Sequence, residues 1–518
     1  MSTLTEARPT PVVASPEPRR WAAVFALARF EARELLLQIP VLFFSLLYVG
    51  YLGMEVWTSD REGMNEFPVL QDADRATQMP PMLIAVAMLI CANRAVLRSR
   101  RRGTDRHFDV LVMEPWRRTV AHALSVVPFA VAVALAVAGQ FTWQALKPGA
   151  VGHGSYAELA VAPLSVLLLG VLGVLLARLI PSSFVVPLLA LGGFVVTTML
   201  TSGLGDPRWM RWLWPVASES QSEPLPSGLL GRPAAWHVLY LVGLTVLLLC
   251  LAILVGGGRA RLVKAIAVGS AALTLTGAVA QSVGDSPALT AARVRASVTP
   301  EKDQTCLRHD RSTYCAFPEW TGRTEDWAGT VRRVQSLAGG AAGGTPLTVR
   351  QRVEARDYGL GQASTFDPSR TPGEVTVGTR WGGNRIPEFA VGVASVLVAG
   401  DEEAAGQLCD ARTVVVMWLA LGSAPDPMTS LRNVRLDDSV SGSAIVLAPT
   451  HPLSMSAQQT DVVREMLERP RYSITVKVKA NWTELTSPKT STARAAELLD
   501  VPVPQGSEEK EEEDECGA

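Results

Sequence analysis

The sequence predicts an α-helical membrane protein of about seven transmembrane helices carrying an α+β extracytoplasmic C-terminal domain. Three observations lead there. Apolar runs of roughly 15 to 24 residues recur through the first 283 residues, about the length that crosses a hydrocarbon core as a helix. Beyond residue 283 no such run appears, and short strand-like stretches alternate with amphipathic helical ones. The charge divides at the same place: Lys and Arg outnumber Asp and Glu 23 to 17 up to residue 283, while the acidic residues lead 32 to 25 after it, so the formal net charge of −1 is a cancellation.

Residues 1–20 (MSTLTEARPTPVVASPEPRR) are proline-rich and lack the apolar core of a secretory signal, which predicts a disordered cytosolic tail. Residues 21–38 follow as an amphipathic helix. At 100° per residue Trp21, Val24, Phe25, Ala28, Ala32 and Leu35 share one face and Arg29, Arg33 and Glu34 turn away. Such a helix can lie in the membrane interface or simply extend the first span; Pro40 marks a break between the two. Spans are expected near residues 39–57, 79–97, 120–143, 159–180, 184–201, 236–255 and 265–283, making 39–283 the membrane domain. The second is interrupted by Asn93 and Arg94 and needs Arg94 to snorkel to the interface.

Short-loop charges set the orientation. Arg8, Arg19, Arg20, Arg29 and Arg33 precede span one. Arg98, Arg100, Arg101, Arg102, Arg106, Arg117 and Arg118 follow span two, and Arg259, Arg261 and Lys264 follow span six. Seven alternating spans put all of these on one side, which places the N-terminus in the cytosol and residues 284–500 outside. Trp57, Trp143, Trp209, Trp212, Trp214 and Trp236 fall at outer span ends or in the outer loop, where interfacial indoles belong. This charge placement also removes any need for nucleic acid to explain the basic clusters. The absence of an acidic residue deep in a span argues against a proton-coupled carrier.

In the outer part, strand-like runs are expected at 293–299, 313–317, 347–353 and 374–379, and helical runs at 325–338, 387–399, 402–421 and 456–468. GGAAGG (339–344) reads as a flexible loop, and Glu508 to Glu515 (EEKEEEDE) makes 501–518 a self-repelling disordered tail. Trp320, Trp327, Trp418 and Trp482 are spaced for core packing. The glycines of spans three to five, among them Gly139, Gly170, Gly173, Gly192 and Gly193, permit close helix approach.

The segment 98–119 (RSRRRGTDRHFDVLVMEPWRRT) is the most informative. Thr104 can cap a short helix whose apolar edge is Phe108, Leu111 and Val112, ending before Pro115. It reads either as an ordinary connector with topological charge or as a docking helix for a cytosolic partner. ALARFEARELLLQIP (26–40) and NRAVLRSRRRGTDRHFDVLVMEPWRRTVAHAL (93–124) resemble the permease subunit of type-2 ABC exporters, closest to large actinomycete-like permeases. The resemblance covers about residues 20–283; a seventh span and a large outer domain depart from the minimal six-span pattern. It implies an elbow helix at 21–36 and a coupling helix within 104–113 that includes Thr104, Phe108, Leu111 and Val112. It also implies a bacterial plasma membrane location, contact with membrane lipid, and assembly with a second permease copy or homologue. The engine is an ABC ATP-binding subunit holding ATP and Mg. A phosphate loop of the form GxxxxGK[ST] is absent from the sequence, so no cofactor is expected on this chain and the ATP site is expected on the partner.

Cys306 and Cys315 enclose LRHDRSTY in the outer domain, where a hairpin would bring them within disulfide reach; a metal set of Cys306, His309 and Cys315 is the rival, lacking a second close ligand pair. Cys91 and Cys250 lie in spans as apolar packing residues, and Cys409 and Cys516 have no evident mates. HExxH and GxSxG are absent, His309 and His451 stand alone, and an enzyme is not expected. Two functions stay open: an exporter permease whose ATP is hydrolysed on a separate chain, or a membrane-anchored extracytoplasmic binding or sensing protein that transports nothing. The substrate is not legible.

Overall fold

The computed structural model describes residues 17–58, 67–103, 113–182, 184–201, 212–216, 224–231, 233–356, 366–379 and 386–502. The chain is mostly helical. In order, the N-terminal half holds α1 (Glu17–Leu36), α2 (Ile39–Thr58), the short α3 (Leu70–Ala76), α4 (Met82–Arg101), α5 (Pro115–Leu124), α6 (Val127–Ala145), α7 (Tyr156–Leu179), α8 (Val185–Thr201), α9 (Ala234–Val255), α10 (Arg261–Ser282) and α11 (Pro287–Val298). Six helical stretches among the described residues are long and apolar enough to cross a membrane. Two of them are composite, with α5 and α6 joined as Pro115–Ala145 and α10 and α11 as Arg261–Val298.

The expected span at 184–201 forms as α8, but it is 17 residues long. At 1.5 Å rise per residue that is about 26 Å, short of a roughly 30 Å hydrocarbon core. Six stretches among the described residues therefore reach full span length, and α8, at the short end of the roughly 17–25 residues that can cross, falls just below it. Two prolines in the bundle sit differently. Pro128 occupies a first-turn position of α6 that needs no N–H, whereas Pro163 lies inside the 24-residue α7.

Helices α4, α7 and α9 form the inner row of the bundle, and α2 and α10 lie at its periphery with little of their apolar length buried. Close packing of α4 on α7 depends on Gly173. A Cβ there would stand 2.3 Å from the Leu89 carbonyl oxygen, so any side chain would force the two backbones apart. Met88, Cys91, Ala92, Val166 and Val174 fill the rest of that contact.

The C-terminal domain contains β1 (Thr305–His309), β2 (Ser312–Ala316), α12 (Thr324–Leu337), β3 (Thr348–Gln351), β4 (Glu374–Val377), α13 (Ile386–Ala399), α14 (Glu402–Ala405), α15 (Asp410–Leu421), α16 (Pro427–Val434), β5 (Ala444–Val446), β6 (Leu453–Met455), α17 (Ala457–Glu468), α18 (Arg471–Ala480), α19 (Trp482–Leu485) and α20 (Thr492–Leu499). Strands run in the order β1-β2-β3-β4, the first pair antiparallel and the others parallel, with Tyr314 opposite Val349 and Val349 opposite Val375. Helix α12 makes the crossover between parallel β2 and β3. Trp320, Trp327 and Trp418 are fully buried in one continuous core, so these three indoles serve packing.

Several local expectations change. Residues 293–299 belong to helix α11 and its C-terminal end, because Ser286 caps that helix by accepting from the Leu289 N–H and Pro287 presets its first turn. The expected single helix 402–421 is broken: α14 ends at Ala405, and α15 restarts at Asp410, whose φ of +50° turns the chain. GGAAGG is not a loose loop. Gly340 takes φ +56° against the Trp482 indole, where a Cβ would lie 2.9 Å from the ring, and Ala342–Gly344 closes a 3₁₀ turn. Helix α17 matches its expected bounds, and Ser456 with Gln459 forms a complete capping box.

Candidate functional site

Three places concentrate specific contacts: a basic rim at one end of the bundle, a cavity within it, and a polar junction where the far end meets the C-terminal domain. At the rim, α1 lies across α4 and α5. Val24 and Ala28 pack on Ala121, giving an i, i+4 stripe that narrows the apolar face read from sequence: Trp21 and Phe25 stay exposed. Arg98 of α4 reaches Glu31 at 3.3 Å and Glu34 at 3.4 Å on α1. Burial pushes the Glu31 carboxyl above its ordinary pKa and Arg98 pulls it back. Trp21 meets Trp116 edge-on at 6.2 Å, the Arg117 guanidinium sits 5.1 Å over the Trp116 ring, and Arg117 pairs with Glu114 at 3.2 Å.

These contacts hold the two ends of segment 104–112. It leaves after Gly103, just past the α4 turn bearing Arg98, and returns at Met113, just before α5. Thr104, Phe108, Leu111 and Val112 themselves lie outside the described residues.

Within the bundle, α2, α4, α7 and α8 line a half-open cavity of about 1150 Å³, to which Met79, Pro80, Trp214 and Pro215 also contribute. Among the described residues, no charged side chain lines it.

The junction is built from α3, the turn after α6, residues 224–231 and residues 318–323. Phe67, Val69, Val151, Leu225 and Leu229 belong to the same buried cluster as Trp320, so the bundle's end loops share the core of the C-terminal domain. Gln71 donates to the Leu225 carbonyl at 2.8 Å and to Glu319 at 3.4 Å. Glu319 also accepts from the backbone N–H of Ser227 at 3.0 Å and from its hydroxyl. Arg323 stacks 3.8 Å over Phe67 and pairs with Asp326 at 3.0 Å. Asp74 accepts from the Ser155 N–H at 2.8 Å, and Glu158 from the Gln78 amide. Arg293 clamps α11 to the same loops through the Leu229 carbonyl at 2.8 Å and Asp285 at 2.7 Å. Comparison with protein-family models, curated proteins and solved structures finds no match.

Cys306 and Cys315 face each other across β1 and β2, with Cα atoms 4.0 Å apart, and are joined by a disulfide. Their sulfurs are thereby spent on each other, so the rival metal set has no thiolates to offer in this state; His309 instead hydrogen-bonds Thr324 Oγ1 at 3.0 Å. Cys91 and Cys250 are buried free thiols. Cys409, without an evident mate in the sequence, is disulfide-bonded, and Cys516 lies outside the described residues.

The junction carries no mark in the sequence. Its partners are remote, with 248 positions between Gln71 and Glu319, and nothing local identifies either. The cavity is equally unmarked for a different cause, since its lining is made of residues common to every span.

Proposed function

We propose that this chain is the permease subunit of an ATP-driven ABC exporter in a bacterial plasma membrane, multi-pass with its N-terminus cytosolic and its C-terminal domain extracytoplasmic. It works with a separate ATP-binding subunit that holds ATP and Mg, and with a second permease copy or homologue. The observation that carries this reading is the rim: an amphipathic helix laid across two bundle helices by Arg98, Glu31 and the Trp21 and Trp116 pair, at the point where segment 104–112 leaves and rejoins them. A partner that pushes on that segment moves α4 and α5 directly, because the segment is anchored to the last turn of one and the first turn of the other. The residues proposed to take the push are Thr104, Phe108, Leu111 and Val112.

The test is to express the chain with its chromosomal neighbours and purify it in mild detergent. A co-purifying ATPase is expected, and Phe108→Asp with Leu111→Asp should reduce its retention and the ATP-dependent transport by at least about tenfold, as two charges placed at an apolar contact would. Undiminished retention and transport in the double variant would remove the coupling assignment. A chain that purifies with no ATPase and binds an extracytoplasmic ligand would favour the anchored binding or sensing protein instead.

A further inference from the structure

The sequence holds six cysteines, and the structure assigns a state to five of them. Cys306 and Cys315 are bonded to each other, and Cys91 and Cys250 are buried free thiols inside the bundle. Cys409 is disulfide-bonded, yet none of those four can be its mate. Each sulfur enters one disulfide, so a bond made within a single chain leaves Cys516 alone to complete this one.

The described residues allow the closure. Cys409 is half-buried at the N-terminal boundary of α15. The Ala411 N–H donates to the Thr490 carbonyl at 3.3 Å, which sets the start of α15 against the start of α20. Helix α20 has eight residues and rises about 12 Å, and Pro502 follows its end by three residues. Fourteen residues run from 503 to Cys516, and fully extended they cover roughly 46–50 Å. That length returns along α20 to Cys409 with slack.

We propose that Cys516 is the mate of Cys409, so that the C-terminus is strapped back onto the edge of the domain where α15 and α20 begin. The acidic block Glu508 to Glu515, seven carboxylates and one lysine, directly precedes Cys516 and is carried to that edge by the bond. Bond formation takes one proton and one electron from each thiol. Both electrons and both protons pass to the disulfide of an extracytoplasmic dithiol-class oxidant, whose S–S bond breaks to two thiols as the Cys409 to Cys516 bond forms. Reduction would release the block, so its position follows the thiol balance outside the cell. The oxidant's location rests on the extracytoplasmic placement of this domain; the pairing rests on the sulfur count.

The experiment takes the full chain from bacterial membranes quenched in acid, caps free thiols with iodoacetamide, digests with trypsin without reduction and maps the peptides by mass spectrometry. Peptide 386–412 should be joined to 511–518, and the link should vanish on reduction. The Cys306 to Cys315 bond, read as 303–308 joined to 312–323, is the internal control. Cys409→Ser should raise the capped fraction of Cys516 at least about tenfold; should that variant not fold, the wild-type map decides alone. With the control bond intact, Cys516 found capped in the wild type, or joined to Cys516 of a second copy, overturns the proposal. If both bonds are absent in cells, the extracytoplasmic placement fails. The pairing is then decided on the purified chain oxidised with glutathione disulfide, where a 386–412 to 511–518 link supports it and any other fate of Cys516 overturns it.

Discussion

The helical bundle and the C-terminal domain solve opposite problems with the same helix. In the bundle, α2 and the joined α10 and α11 each bury only 11% of their most apolar stretch, and side chains such as Phe43, Leu46, Leu275 and Val279 stand more than half exposed. That surface suits lipid, where hydrophobic burial between helices adds little and packing must come from close backbone approach, as at Gly173. In the C-terminal domain, α15 turns every residue from Ala411 to Leu421 except Arg412 inward, and the core is closed by whole indoles. Water drives that burial at roughly 25 cal/mol per Å². Each half is vulnerable accordingly: the bundle to loss of small residues and of its lipid, the domain to loss of large ones.

A core truncation confined to one half tests that contrast hardest. Trp418→Ala should destabilise the C-terminal domain by about 3–5 kcal/mol, because the cavity left by an indole cannot collapse among α13, α15 and α17. Limited proteolysis in detergent should then cleave between residues 300 and 500 while fragments spanning the bundle stay protected. Cleavage of the bundle at the same rate would show that the two halves unfold as one.

The junction decides how independent they are, and its effect is expected to be smaller. Gln71 and Glu319 meet across the boundary at 3.4 Å, with Glu319 also holding Ser227. Groups in one hydrogen-bond network couple by about 0.5–3 kcal/mol. A double-mutant cycle on Gln71→Ala and Glu319→Ala, read as the melting of the C-terminal domain in the intact chain, should show that coupling. Strict additivity would mean that the shared apolar core, with Phe67, Val69 and Val151, holds the junction by itself.

Legibility in the sequence follows from whether the signal is local. Spans announce themselves by length, and β2, β3, β4, α12, α13 and α17 by alternation or by caps. Strand β1 does not, because Thr305–His309 is an exposed edge strand with no buried face to alternate against. Residues 293–299 alternate like a strand in RVRASVT, yet 293–298 are helical; the Ser286 and Pro287 start signal, present in the sequence, outweighs the pattern. At the rim the apolar stripe of α1 is readable, but which half of it meets protein is not, since Val24 and Phe25 are equally apolar and only Val24 finds Ala121.

A weaker effect separates the halves by pH. Glu402, at the start of α14, is buried, and burial raises its pKa although its carboxylate accepts from the Ser369 N–H at 2.8 Å, the Thr376 N–H at 2.5 Å and Thr376 Oγ1 at 3.0 Å. An acid whose folded pKa lies above its unfolded one binds its proton more tightly when folded. Its contribution to stability is therefore full below the unfolded pKa of 4.5 and is lost as pH rises through the higher folded value. Glu402→Gln keeps an acceptor oxygen and cannot ionise. The stability of the variant relative to the wild type should thus climb as pH is taken from below 4.5 to neutrality. The climb should be about 1.4 kcal/mol for every tenfold by which folding tightens proton binding. Denaturant melts of the C-terminal domain signal at a series of pH values would measure it. A relative stability that stays flat or falls with pH would show that the three donors, rather than burial, set the charge state at α14.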